Sequence, residues 1–185
     1  MKVINLFGPP GVGKSTVAAG VFWALKRRGI EVELVTEFAK ALVWDGRSET
    51  LQDQIYIFAK QNSALTRLTR HKDLTFAVTD SPLLFSMVYR PEAYYAAFDD
   101  VVRDVFHSYD NINFYLNAEH SYSKVGRNHD EHDAKALDVK IRTMLTRENV
   151  LVTPVVSSES AVDFIVAYLV NQGLIPPRGS TSAGT

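Results

Sequence analysis

The run Gly8-Pro-Pro-Gly-Val-Gly-Lys-Ser15, followed by Thr16, spaces its glycines, lysine and hydroxyl as G-x-x-x-x-G-K-[ST]. Those residue types in that order suit a polyphosphate. Glycines let the backbone wrap closely enough for its N–H groups to converge on phosphate oxygens. A helix opening directly behind the loop adds unsatisfied N–H groups and the positive end of its dipole. Lys14 can reach the β- and γ-phosphates, and the Ser15 hydroxyl can ligate Mg²⁺. The pattern assigns Gly8, Pro9, Pro10, Gly11, Val12, Gly13, Lys14, Ser15 and Thr16 to a nucleoside triphosphate, expected to be ATP with Mg²⁺. The competing reading is a Gly/Pro-rich turn before an ordinary helix. A strand pattern before the loop and a helix pattern after it favour the phosphate site.

Two carboxylates are candidates to work beside it. Asp80 follows the apolar run Leu74-Thr-Phe-Ala-Val-Thr79, so it emerges at a strand end, where it can hold Mg²⁺ directly or through water. The alternative is a helix N-cap, because Asp80-Ser81-Pro82 also has the form of a helix start. Glu37 stands two residues beyond a second strand pattern and can accept the proton of a hydroxyl as phosphate moves onto it. Its alternative is a first-turn glutamate that favours the helix dipole. Asp80 is the rival for the general-base role, and the sequence leaves that choice open.

A cation is expected from the polar stretch Tyr122-Ser-Lys-Val-Gly-Arg127, read as part of a mobile lid over about residues 118–130. Charge developing on a transferring phosphoryl group favours a closing cation, and a closed lid excludes water. Arg127 is the first candidate because its fork can bind two oxygens at once, with Lys124 second. His129-Asp-Glu-His-Asp133 has poor spacing for zinc and reads as a charged helix start. Gln54, Gln61, Arg67 and Arg70 lie on a long helical stretch. Gln61 or Arg67 could touch an acceptor, or this could be a solvated face. Trp44 and Tyr56 could stack on a base or belong to the core.

Positioning these groups requires strands that end together. Short apolar runs at Lys2–Phe7, Glu31–Val35, Leu74–Thr79, Asn111–Leu116 and Val150–Val156 read as five strands. Helical patterns fall between them: Gly13–Arg28, closed by Gly29; Leu51–His71, with Ile55, Phe58, Leu65 and Leu68 as its apolar stripe; two segments around Pro91, the second ending near His107; Glu131–Arg147; and Glu159–Asn171. Alternation of this kind predicts an α/β three-layer sandwich, and the Gly8–Ser15 loop between the first strand and helix makes the P-loop NTPase type the expected one. Its five-stranded parallel sheet would carry helices on both faces and a short lid loop, with ligands at the carboxyl ends of the strands. The 185 residues suit one domain, expected over 1–172, with a Pro/Gly/Ser/Thr-rich tail over 173–185 read as disordered.

Composition narrows the classes. With 20 basic and 21 acidic side chains, the surface as a whole is not built to grip nucleic acid, although a local basic groove is compatible with it. The absence of cysteine excludes disulfides and thiol catalysis. No apolar run approaches a membrane span and no charged leader precedes the first strand, so a cytoplasmic protein is expected.

The set FGPPGVGKST, LVTEFAK, VTDSPLL, and NINFYL followed by Tyr122…Gly126-Arg127 and a helix holding Asp138 resembles bacteriophage P-loop kinases. These are similar to thymidylate kinases and nicotinamide riboside kinases. The likeness runs from about Lys2 to Leu145 and is greatest to the 5-hydroxymethyluracil DNA kinases. It implies an ATP- and Mg²⁺-dependent kinase acting on the hydroxymethyl group of a modified base in phage DNA, a step in thymidine hypermodification. It also implies Glu37 and Asp80 as active-site acids, Arg127 as a lid cation, and Asp138 as either an organiser of the lid or a surface residue. A kinase of a free nucleoside or nucleotide, and a P-loop ATPase without an acceptor, are the competing readings. A DNA acceptor would need its base to reach the P-loop, for instance by flipping from the stack.

Overall fold

The computed structural model describes residues 1–118 and 131–178. Strand β1 (Lys2–Phe7) leads into α1 (Lys14–Lys26), then β2 (Val32–Val35), α2 (Phe38–Trp44) and a 3₁₀ turn at Ser48–Gln52. Next come α3 (Gln54–Leu68), β3 (Phe76–Thr79), α4 (Phe85–Tyr89), α5 (Phe98–His107), β4 (Asp110–Ala118), α6 (Glu131–Arg147), β5 (Thr153–Ser157) and α7 (Ala161–Asn171). The strands form one parallel sheet in the order β2-β3-β1-β4-β5.

The inner strands are apolar on both faces because helices cover both. Phe7, Ala77 and Tyr115 turn to one side and pack with Phe58 and Leu65 of α3, Phe85 of α4, Val102 of α5 and Ile141 of α6. Ile4, Leu6, Val78 and Leu116 turn to the other, against Val17, Val21 and Leu25 of α1 and Ile165 and Leu169 of α7. α1 ends where expected. Gly29 takes φ 71°, and the Ile30 N–H reaches back to the Leu25 carbonyl.

The order places β1 at the centre, so the loop behind it lies between the ends of β3 and β4. Asn5 is level with Thr79, and Val35 is level with the same Thr79. Glu37, two residues past Val35, and Asp80, one past Thr79, therefore leave the sheet at the same end as the glycine-rich loop.

Some expectations shift. α2 is a separate short helix that the sequence pattern did not reveal. The core row of α3 is Gln54, Ile57, Phe58, Gln61 and Leu65, whereas Ile55 is exposed. β5 starts at Thr153 rather than Val150, and Leu151 before it is almost wholly exposed. Ile175 is buried beside Leu25, and Arg28 donates to the Pro176 carbonyl at 3.3 Å. Packing thus continues past the boundary expected at residue 172. Among the described residues no helix is long and apolar enough to cross a membrane.

Candidate active site

The loop conformation depends on glycine at its two ends. Gly8 has φ 140°, and a Cβ there would lie 2.9 Å from both the Leu116 carbonyl oxygen and Val12 Cγ1. Gly13 has φ 97°, and its Cβ would lie 2.9 Å from Ser157 Oγ. Side chains rarely adopt either φ, and neither site has room for one. Ser157, at the end of β5, also donates to the Val12 carbonyl, so β5 braces the loop from the far side. Behind the loop, α1 opens with Lys14, without a side-chain cap and with no acidic residue in its first turn. Its N-terminal N–H groups and dipole suit an anion. Ser15 and Thr16 sit exposed in that turn.

Lys14 Nζ donates to the carbonyls of Gly8 and Pro9, each at 2.9 Å, and lies 5.5 Å from the centroid of the Phe85 ring. The ammonium is thus held against the loop that would receive phosphate. Phe85 is itself fixed by edge contacts with Phe7 and Tyr89.

Asp80 is 6% exposed, and its Oδ1 has no hydrogen-bond partner among the described residues. Burial pushes its carboxyl above the ordinary aspartate range. Its own backbone N–H, the Lys14 ammonium, the Glu37 backbone N–H and Lys40 oppose that rise more weakly. The helix-cap alternative does not hold, because α4 starts only at Phe85 and Leu84 occupies the cap. A buried, unsatisfied carboxylate oxygen beside a phosphate loop is a fitting ligand for a divalent cation. The Ser15 hydroxyl, exposed in the first turn of α1, is a second hard-oxygen group of the kind that could hold Mg²⁺.

Glu37 is half-buried at the N-cap of α2, where its side chain makes no capping bond. Tyr89 on α4 faces the same region. Burial, and then the charge of Glu37, raise its phenol above the ordinary tyrosine value. The structure thus brings Lys14, Glu37 and Asp80 together with two residues not singled out in the sequence, Tyr89 and Ser157. Gln61 is buried rather than solvated, and it bonds around Glu37 instead of presenting itself to an acceptor.

Other candidates fall elsewhere. Arg67 borders a groove at the β2 edge with Glu33 and Leu34, and Arg70 is exposed beyond α3. Gln54 donates to the Leu51 carbonyl at 2.7 Å. Trp44 is 81% exposed and is no core residue; Tyr56 packs edge-on to Phe38 with Lys60 over its face. Arg127, Lys124 and the stretch 119–130 lie outside the described residues. On either side of that stretch, Asp138 of α6 accepts from the Tyr115 hydroxyl at 2.5 Å and from Arg142 at 2.8 Å. Arg142 also donates to Asn117 at 2.8 Å, which ties α6 to the end of β4.

A family model described as an AAA domain matches residues 3–161, from the first strand to the start of the last helix. The chain belongs to this AAA-domain family. No curated protein matches it by sequence. Among solved structures it is similar to NadR protein in complex with NR, at TM-score 0.70 and 16% identity over 97% of this chain. The chain spans about half (54%) of that NadR chain. It is also similar to deoxyadenosine kinase from M. mycoides with dCMP and dCDP bound, at TM-score 0.56 and 16% identity, covering 91% of this chain and 99% of that one. Shikimate kinase from Aquifex aeolicus vf5 follows at TM-score 0.52 and 14% identity, covering 93% and 98%. At these identities the likeness concerns the fold, which is that of a P-loop NTPase.

Proposed function

We propose that this protein is an ATP- and Mg²⁺-dependent kinase that moves the γ-phosphate onto a hydroxyl. The reading rests above all on the buried Asp80 oxygen, without a partner among the described residues, at the same sheet end as the Lys14 loop and Glu37. Asp80 and Ser15 would hold the Mg²⁺, whose charge offsets that of the phosphates. The loop N–H groups bind the triphosphate, and Lys14 exchanges its two carbonyl partners for phosphate oxygens. Glu37 takes the proton of the acceptor hydroxyl. The acceptor oxygen then bonds to the γ-phosphorus as the bond to the bridging oxygen breaks, and ADP leaves. Arg127 is proposed as the cation that closes over the transferring group.

For the acceptor we favour the hydroxymethyl group of 5-hydroxymethyluracil in DNA, on the strength of the motif order shared with the bacteriophage enzymes. A free nucleoside or nucleotide is the second reading, which the likeness to a deoxyadenosine kinase fold supports. A transfer assay with γ-labelled ATP separates them. It would offer duplex DNA with and without 5-hydroxymethyluracil alongside free nucleosides and nucleotides. Label in the modified DNA alone supports the first reading, and label in a monomer alone replaces it with the second.

A further inference from the structure

Gln61 lies in the core-facing row of α3 between Phe58 and Leu65, a position that an apolar side chain would fill without loss. It is 4% exposed, so its carboxamide has left water and must recover its hydrogen bonds inside the protein. It does so at one place. Its oxygen accepts from the Phe38 N–H at 3.1 Å, and its nitrogen donates to the Thr36 carbonyl at 3.4 Å and to Thr79 Oγ1 at 3.3 Å. Thr36 and Phe38 are the residues on either side of Glu37. Thr79 immediately precedes Asp80, and its Oγ1 also accepts the N–H of Ser81, the residue that follows Asp80, at 3.1 Å.

One buried amide therefore grips the main chain before and after Glu37 and, through a single threonine hydroxyl, the main chain before and after Asp80. β2 and β3 are already paired up to Val35 and Thr79, but that pairing stops short of both carboxylates. Beyond it, Gln61 bridges the two strand ends. We propose that Gln61 is a positioning residue that fixes the separation and aim of the Glu37 and Asp80 carboxylates. The proposal rests on the reading of those two groups as the acids of a phosphotransfer site.

An amide is the side chain for this task because it both donates and accepts while carrying no charge. A lysine or glutamate in the same place would add a buried charge between two carboxylates. A leucine would keep the packing and leave the two strand ends joined only where the Glu37 N–H meets the Asp80 carboxylate. A misplacement on the order of 1 Å at a reacting group can cost about a hundredfold in rate.

The test compares Gln61→Leu and Gln61→Glu with the wild-type chain, using the acceptor that the wild type phosphorylates. Gln61→Leu is expected to bind a non-hydrolysable ATP analogue without metal, which the loop alone holds, within about twofold of wild type in calorimetry, while kcat with Mg²⁺·ATP drops by about a hundredfold. In the same variant the Phe38 amide should exchange its hydrogen at least about tenfold faster, and the amide of Val78 in β3 should keep its protection. Gln61→Glu can imitate the amide only when its carboxyl is protonated, so its rate relative to wild type should climb as the pH falls. If Gln61→Leu does not fold, this pH profile decides alone. Wild-type turnover in Gln61→Leu, or a relative rate of Gln61→Glu that does not change with pH, would overturn the bracket and leave the kinase reading intact. A wild-type chain that phosphorylates no hydroxyl overturns the kinase reading itself.

Discussion

Replacing Asp80 by asparagine should make the nucleotide-free protein more stable and the enzyme inactive. The wild-type carboxylate is 6% exposed with an oxygen that no described group satisfies, and a buried unmet acceptor costs about 1–3 kcal/mol, more when charged. Its own backbone N–H, Lys14, the Glu37 backbone N–H and Lys40 return part of this, but burial is the larger influence and leaves the carboxyl above its ordinary range. Asparagine keeps the shape and removes the charge, so a net gain of about 1 kcal/mol is expected at neutral pH. In a chain of this size that corresponds to a Tm rise of about 2–4 °C. The sign with pH follows from the raised value. The folded state holds the Asp80 proton more tightly than the unfolded state, so wild-type stability falls as pH rises through the folded value. Below the ordinary aspartate range both chains are neutral at this position and their stabilities converge. Mg²⁺·ATP should reverse the ranking, since a ligand at a hundred times its Kd adds about 2.7 kcal/mol to the chain that binds it. Thermal unfolding by circular dichroism, across pH and with or without Mg²⁺·ATP, reads all of this. The reasoning fails if the variant is the less stable chain without nucleotide at neutral pH, or if Mg²⁺·ATP stabilises both chains equally.

Glu37→Gln should lower the single-turnover rate by about 10²–10⁴-fold while leaving ATP affinity unchanged in calorimetry; an unchanged rate would give the base role to Asp80. Gly13→Ala combines a φ of 97° with a Cβ only 2.9 Å from Ser157 Oγ, so ATP affinity should fall at least about tenfold in the same calorimeter. Glu148 has a side chain 1% exposed, and its carboxyl lies below the ordinary glutamate range because Arg103 and then Arg147 hold it ionised. Its contribution to stability is present above the ordinary glutamate range and is lost as pH falls through the lowered value. Glu148→Gln should therefore flatten the acid side of the Tm–pH curve.

Legibility in the sequence followed how local each determinant is. The phosphate loop was readable because Gly8, Gly13, Lys14 and Ser15 act within one turn, so spacing alone carries the geometry. The five strands were readable from short apolar runs, and the common exit of Glu37 and Asp80 followed from their places behind two of them. The order β2-β3-β1-β4-β5 was not, since strand pairing depends on contacts far apart in the chain. α2 has only seven residues, too few for a helical period to stand out between Glu37 and Trp44. In α3 the expected stripe holds at Phe58, Leu65 and Leu68, which pack on the core, and fails only at Ile55, where the neighbouring Ile57 turns inward instead. Gln61 did leave a trace, spaced three residues from Phe58 and four from Leu65 on the buried face. A polar residue in such a row usually reads as a face edge until its partners are seen. Ser157 and Tyr89 reach the site from β5 and α4 only through the folded packing.

The central claim is that this loop and its acids transfer phosphate to a hydroxyl, and it is met most directly by comparing the wild type with Lys14→Ala. Each would be given γ-labelled ATP, Mg²⁺ and the acceptor panel, and the products resolved as phosphomonoesters or free phosphate. We predict label in a phosphomonoester with the wild type and none with Lys14→Ala. Label appearing only as free phosphate whatever acceptor is present, or transfer that survives the loss of Lys14, would contradict the account.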